Sequence, residues 1–215
     1  MKLSYLVTCH NEDSCLDSLL SKLTEFLDEN SEIVVVDDYS NSKQTLSILE
    51  KYKDNIHLYK RHLENNYGAQ KNYGIEQCKG DWIFQIDADE KPTDMTLENI
   101  YSILEANEEN EVIWIPRMNI FNGVTESDIK QWGWKYHDGL INFPDYQSRL
   151  FLNKSHIRYQ RRLHEKVEGF ESYTFIPPQK DIALIHEKSI EKQRKTNLKY
   201  NEKFTQKENQ GYQVK

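Results

Sequence analysis

Three short apolar runs, each breaking into a polar cluster, constrain this chain more than any other feature. Leu3–Thr8 ends at Cys9-His10-Asn11-Glu12, Glu32–Val36 ends at Asp37-Asp38, and Trp82–Ile86 ends at Asp87-Ala88-Asp89-Glu90. Four to eight apolar, β-favouring residues stopped by polar or breaker residues read as buried strands. Asn55–Tyr59 reads as one more. Between the first two runs, Leu16, Leu19, Leu20, Leu23, Phe26 and Leu27 recur at three- and four-residue spacing. That is one apolar helix stripe, with Asp13 or Ser14 as its N-cap. Weaker helices are expected over 42–53 and over 67–79, where Gly68 and Gly74 lower the propensity. Strand and helix alternating in this way predict βαβ units, a parallel sheet and an α/β fold. Ligands of such sheets sit beyond the carboxyl ends of the strands. All three polar clusters fall on that edge.

A carboxylate cannot be buried unpaired, because its desolvation costs several kcal/mol or more. The cluster after Ile86 therefore either faces water or holds a cation. Asp87 and Asp89 are two residues apart, and an extended backbone would point both to one side. Paired oxygen ligands with a diphosphate completing the shell suit Mg²⁺ or Mn²⁺. The competing reading is a solvated acidic turn. For Asp37 and Asp38 the competing reading is a turn with a helix N-cap.

The second half has a different texture. One amphipathic helix is expected over 95–106, followed by an acidic turn and a strand at Val112–Ile115. A long aromatic segment with Trp132, Trp134, Tyr136, Phe143 and Tyr146 reads as a loop or short meander, its rings either packed or free to stack on a sugar. Gln147–Leu152 and Asp181–Ile185 read as strands, the latter ending at His186. From Ser189 the chain is polar, basic and helix-prone. A net charge of −7 argues against bulk attraction to nucleic acid or to an anionic membrane. No apolar run approaches the roughly 20 residues of a membrane span. No signal-peptide pattern opens the chain, and three cysteines without metal spacing read as reduced thiols, so a cytoplasmic protein is expected.

These residues carry a resemblance. Cys9-His10-Asn11-Glu12, Val36-Asp37-Asp38-Tyr39-Ser40-Asn41, the helix Asn66–Gly74, Ile86-Asp87-Ala88-Asp89-Glu90, Gln147-Ser148-Arg149-Leu150-Phe151 and His164-Glu165 occur in the order of the family motifs. Over residues 3–200 the chain resembles the inverting nucleotide-sugar glycosyltransferases of family 2, which have the GT-A fold, and looks most like their small bacterial and phage members. Two departures stand out. Tyr39 replaces a usual Gly, and Lys71 replaces a usual Arg, keeping charge but losing the bidentate fork.

The resemblance implies one compact domain in three parts. Residues 1–110 form a nucleotide-sugar-binding half, 111–188 an acceptor-binding and catalytic half, and 189–215 a basic C-terminal helix and tail. Thr8, Asn11, Glu12 and Asp38, with Asp37 behind them, would line the nucleotide pocket. Lys71 would reach a base or phosphate oxygen, and Arg149 would position donor or acceptor. Asp89 would bind the Mn²⁺ or Mg²⁺ that bridges the diphosphate, with Asp87 on the metal or the ribose and His186 a further candidate ligand. His164 is also a candidate, but for each histidine an ordinary hydrogen-bonded role is preferred. Glu165 would be the catalytic base, with Asp145 the runner-up; the competing role for Glu165 is an ion pair with Arg161, Arg162 or Lys166. Lys188, Lys192 or Arg194 would close over the diphosphate.

The expected activity is inverting transfer from a nucleoside-diphosphate sugar, UDP-linked rather than GDP-linked, to a hydroxyl of a saccharide, lipid-linked or other acceptor. A nucleotidyltransferase and a catalytically silent carbohydrate- or protein-binding relative are the alternatives. The first usually carries glycines and a cation after its opening strand, which His10-Asn11-Glu12 lacks.

Overall fold

Strand β1 (Leu3–Cys9) is the axis of the structure, a computed structural model that describes residues 1–209. It is buried along its length because parallel neighbours flank it on both sides. Those neighbours are β2 (Ser31–Asp37) and β4 (Trp82–Asp87), and β3 (Ile56–Lys60) extends the sheet beyond β2. The connecting helices are α1 (Asp13–Glu25), α2 (Lys43–Lys51) and α3 (Tyr67–Gln77). Leu16, Leu19, Leu20 and Leu23 of α1 lie at 0–1% exposure against the sheet. Each such leucine contributes about 1.5–3 kcal/mol. This is the α/β half that the alternation of apolar runs predicted.

The remaining elements are β5 (Glu90–Pro92), α4 (Asp94–Glu98), α5 (Ile100–Glu105), β6 (Val112–Ile115), β7 (Arg117–Asn122), α6 (Glu126–Trp132), β8 (Tyr136–His137), β9 (Leu140–Ile141), β10 (Gln147–Leu152), β11 (Arg158–Gln160), β12 (Lys166–Glu168), β13 (Tyr173–Phe175), β14 (Leu184–Ser189), α7 (Ile190–Lys203) and α8 (Gln206–Asn209). The main sheet runs β13-β6-β10-β4-β1-β2-β3, with β10 antiparallel to both its neighbours. A second sheet, β5-β14-β7-β9-β8, closes over the carboxyl end of β4, and β11 pairs with β12 as a hairpin.

Three expectations need correction. The helix expected over 95–106 is two, broken at Asn99, which caps the end of α4 and the start of α5. The aromatic segment contains α6, whose Thr125–Asp128 capping box satisfies its first amides and whose end is closed by Gly133 in the left-handed region. The last strand begins three residues later than expected and continues past His186 to Ser189, which then caps α7. The part of the expected basic tail over 210–215 lies outside the described residues.

The glycines of α3 have a steric purpose. A Cβ on Gly68 would lie 2.3 Å from the carbonyl oxygen of Arg161, and one on Gly74 would lie 2.4 Å from Leu6 Cδ1. The helix gives up propensity there to approach a loop on one side and β1 on the other.

Candidate active site

The loop that follows β11 is fastened to α3 atom by atom. Asn72 exchanges two hydrogen bonds with the backbone of Tyr159, both 2.8 Å, and the Tyr67 amide donates to the Arg162 carbonyl at 2.8 Å. With Gly68 against Arg161, these contacts set the approach of His164 and Glu165. Arg161 and His164 both take positive φ, 76° and 52°, so the loop turns sharply and delivers Glu165 inward. Glu165 accepts from Lys71 Nζ at 2.6 Å. Arg162, one of the cations expected beside it, pairs instead with Glu208 at 3.5 Å.

Lys71 is 3% exposed and also lies 2.9 Å from Asp87 Oδ1. Burial pushes its ammonium down, but Asp87 and Glu165 outweigh that and hold it above the usual lysine range. Asp87 continues the chain of charge to Arg149 Nη2 at 2.5 Å. Arg149 also donates to Glu90 at 2.7 Å and to Gln85. Glu90, fully enclosed, accepts from Arg117 at 2.7 Å, and Arg117 grips Asp145 Oδ2 at 2.6 and 3.0 Å. Burial pushes the Asp87 carboxyl up, yet Arg149 and Lys71 carry it well below the ordinary carboxylate range. Such a network is stable only while every member is paired.

Asp89 lies outside this network. The strand stops at Asp87 and turns, so Asp87 and Asp89 reach different partners rather than one common side. Asp89 Oδ2 is 3.6 Å from His186 Nε2 and 3.7 Å from Lys192 Nζ. Burial raises the Asp89 carboxyl, but the charge and ring N–H of His186 in its protonated form outweigh that and hold the group below the usual range. Burial pushes His186 down, toward the neutral ring. A carboxylate oxygen facing an imidazole nitrogen suits Mn²⁺ or Mg²⁺ in donor chemistry. Each Asp87 oxygen is already taken by a protein donor: Oδ1 by Lys71 and Gln85, Oδ2 by Arg149. Among the described residues, no group of three or more His, Cys, Asp or Glu side chains is placed to hold a metal unaided. A cation here would take the rest of its shell from a bound diphosphate.

These groups line one cavity of about 570 Å³ at the carboxyl end of the parallel strands. Thr8, Glu12, Asp38, Lys71, Asp87, Asp89, Asp145, Arg149, His164, Glu165 and His186 all border it. Asn11 does not. Its side chain accepts from the amides of Asn41 and Ser42, both 2.9 Å, and so shapes the turn after β2. Asp37 is buried beneath that turn, accepting from the Ser40 amide at 3.0 Å. Asp38 Oδ1 accepts from the Leu63 amide at 2.8 Å, which leaves its other oxygen toward His10 at 3.6 Å. His164 packs edge-on against Tyr200 and lies 3.4 Å from Asn209, with no partner in common with Asp89.

From α7 and the end of β14, Lys188 and Lys192 reach the cavity, and Lys192 is paired with Glu12 at 2.8 Å. Arg194 points elsewhere, to Asp128 of α6 at 2.6 Å. Reading the sequence alone missed Arg117, Asn119, Gln85 and Tyr200. Arg117 follows Ile115-Pro116, a strand end, which is the one local signal it had.

Comparison with known proteins agrees with this architecture. The family model described as Glycosyl transferase family 2 matches residues 4–168. Poly(ribitol-phosphate) beta-N-acetylglucosaminyltransferase TarS of Staphylococcus aureus (strain Mu50 / ATCC 700699) is 30% identical over 128 residues, 57% of this chain and 22% of TarS. Lipopolysaccharide core biosynthesis glycosyltransferase LpsC of Rhizobium meliloti (strain 1021) is 32% identical over 111 residues, 51% of this chain and 39% of LpsC. The crystal structure of S. aureus TarS 1-349 in complex with UDP-GlcNAc superposes with a TM-score of 0.63 at 21% identity, covering 87% of this chain and 59% of that one. The two share the GT-A fold. The matched regions span between a fifth and two fifths of these curated relatives. Among the described residues no helix is long and apolar enough to cross a membrane.

Proposed function

This chain belongs to glycosyltransferase family 2, and from that premise we propose that it transfers a sugar from a UDP-sugar to an acceptor hydroxyl, with inversion and with help from Mn²⁺ or Mg²⁺. One observation carries the reading. A carboxylate–imidazole pair open to a cation (Asp89 and His186), two lysines (Lys188 and Lys192) and an inward-facing carboxylate (Glu165) border a single cavity at the ligand edge of the sheet. UDP is favoured because the fold is shared with a protein solved with UDP-GlcNAc.

The residues divide the work. Thr8, Asp38 and the turn that Asn11 shapes hold the nucleoside, with Glu12 and Arg149 beside them. Asp89 and His186 would hold the cation, which when bound would supply Lewis-acid neutralisation of the diphosphate charge. Lys192 exchanges Glu12 for a phosphate oxygen, and Lys188 adds a second positive charge where the leaving group becomes more negative. Glu165 takes the proton of the attacking hydroxyl on the opposite face of the sugar. Lys71 keeps that carboxylate in place. Trp134, half-buried at the cavity and backed edge-on by the buried Phe121 at 5.0 Å, is the aromatic group on which an acceptor ring can pack.

A panel of nucleotide sugars, tested by thermal shift with and without Mn²⁺, identifies the donor, since a ligand of the folded state raises apparent stability. Asp89→Ala is expected to lose Mn²⁺-dependent donor binding and turnover together. Glu165→Gln is expected to keep donor binding and lose transfer by about 10²–10⁴-fold. Donor binding indifferent to Mn²⁺, with no hydrolysis of any nucleotide sugar, would instead identify a silent binder. Transfer intact in Glu165→Gln would move the base to Asp145.

A further inference from the structure

His186 and Asn119 are register partners on the parallel pair β14 and β7. Asn119 is buried, and its Nδ2 donates to Asp145 Oδ2 at 2.8 Å and to the Ile141 carbonyl at 3.3 Å. Both of those oxygens only accept. The amide therefore sits one way round, since a half-turn would set its own oxygen against a carboxylate and a carbonyl. Asp145 cannot turn away, because Arg117 holds the same oxygen through Nε at 3.0 Å and Nη2 at 2.6 Å. Asn119 Oδ1 is left facing His186 Nδ1 at 2.7 Å. A carboxamide oxygen cannot donate, so the hydrogen in that contact belongs to the ring nitrogen.

We propose that Asp145 and Asn119 form a relay that holds His186 as its Nδ1–H tautomer and leaves Nε2 as the open ligand atom beside Asp89. The inference rests on the reading of Asp89 and His186 as cation ligands and deepens it. It also separates the two carboxylates considered for the base. Asp145 becomes a positioning residue that acts on the cation side through Asn119, and Glu165 remains the group that faces the acceptor.

The physical need is plain. A neutral imidazole in water prefers its hydrogen on Nε2, and that hydrogen would point at Asp89 and close the site. Metal-binding histidines have the other ring N–H held by an acceptor, which fixes both tautomer and ring direction. Here the acceptor is a carboxamide whose own direction is set by a carboxylate. Phe121, edge-on to the ring at 84° and 6.0 Å, holds its plane.

The test reads the ring nitrogens directly. Histidine-selective ¹⁵N labelling of the metal-free chain at about pH 8, above the ordinary histidine range, gives long-range ¹H–¹⁵N spectra in which protonated and bare nitrogens are well separated. Comparison with His186→Gln assigns the signal. The expected result is a protonated Nδ1 and a bare Nε2. Asn119→Ala is expected to move the hydrogen to Nε2 and to weaken Mn²⁺ binding, followed by the electron paramagnetic resonance of free Mn²⁺, on the order of 10–100-fold. Asp145→Ala, which keeps the Ile141 acceptor, is expected to move both readouts the same way by less. The wild-type spectrum decides the tautomer whether or not either variant folds.

A protonated Nε2 in the wild type, or Asn119→Ala with unchanged tautomer and Mn²⁺ affinity, overturns the relay. An Asp145→Ala spectrum identical to wild type overturns the part assigned to Asp145. A protonated Nδ1 whose Nε2 signal ignores added Mn²⁺ upholds the relay and overturns the cation reading on which it was built.

Discussion

Lys71→Met removes the cation that Asp87 and Glu165 share, and so separates two roles for that lysine: holding the base, or touching the nucleotide. Removing one member of a buried pair typically costs 3–5 kcal/mol, because the partner charge stays behind. Two features reduce that here. Asp87 keeps Arg149 at 2.5 Å and Gln85 at 2.9 Å. The Glu165 side chain is 15% exposed and can turn toward water in the cavity. Met fills a volume close to that of the lysine stem, so little cavity is added. The expected loss is roughly 2–3 kcal/mol, which for a chain of this length lowers Tm by about 4–12 °C.

The kinetic consequence is larger than the stability one. A catalytic group displaced by about 1 Å can cost 10²-fold. Without Lys71, Glu165 loses the contact that sets its position at 2.6 Å. The expected result is a kcat lower by about 100-fold with donor affinity little changed. Urea unfolding at constant m, calorimetric donor binding and initial rates measure the three quantities on one preparation. Collapse of donor affinity with kcat preserved would refute the positioning argument and make Lys71 a nucleotide contact. An unchanged unfolding midpoint would refute the claim that its charge compensates the buried carboxylates.

Two further outcomes follow from the same geometry. Lys192→Ala breaks a half-exposed pair with Glu12 that is worth about 1 kcal/mol or less. Stability should therefore hold while the donor KM rises about tenfold, or ~1.4 kcal/mol; a KM equal to wild type would leave Lys192 as surface charge. Acid should destabilise the fold in a recognisable window. Burial raises the carboxyls of Asp87, Asp89 and Asp145, but Arg149 and Lys71, His186, and Arg117 respectively outweigh it, so all three lie below their ordinary value of 3.8. A depressed carboxyl stabilises the fold fully above its unfolded value and loses that contribution as pH falls through its folded range. The urea midpoint should thus hold down to about pH 4 and drop steeply below it. A midpoint as high at pH 3 as at neutral pH would contradict the pairing described for this site.

The first half was legible because burial on both faces leaves a written trace. β1, β2 and β4 must be apolar at nearly every position, and the chain can become polar only where it leaves the sheet, which is where the ligand edge lies. The second half leaves no such trace. β8, β9, β11 and β12 are two or three residues long, and their pairing is decided by partners far along the chain. α6 did carry a local signal, Thr125 three residues before Asp128 and Gly133 at its end, but at 7 residues it is too short to write an apolar stripe into the sequence.

At the site the types of residue were readable and their pairings were not. Asp87, Asp89 and Glu90 look alike as a run of acids. Sheet closure gives them three different fates: Asp87 to Lys71 and Arg149, Asp89 to His186 and Lys192, and Glu90 to two arginines in the interior. The Asn119–His186 contact joins residues 67 positions apart, and only the parallel register of β7 with β14 brings them level. Charge shows the same limit. A net of −7 describes the chain as a whole, yet around this one cavity Lys71, Arg117, Arg149, Lys188, Lys192 and Lys199 stand against the carboxylates of Glu12, Asp38, Asp87, Asp89, Asp145 and Glu165. A substrate responds to the local field there and not to the sum over the surface. An acidic protein can thus offer a locally balanced site, because the fold gathers cations from distant parts of the chain beside its carboxylates.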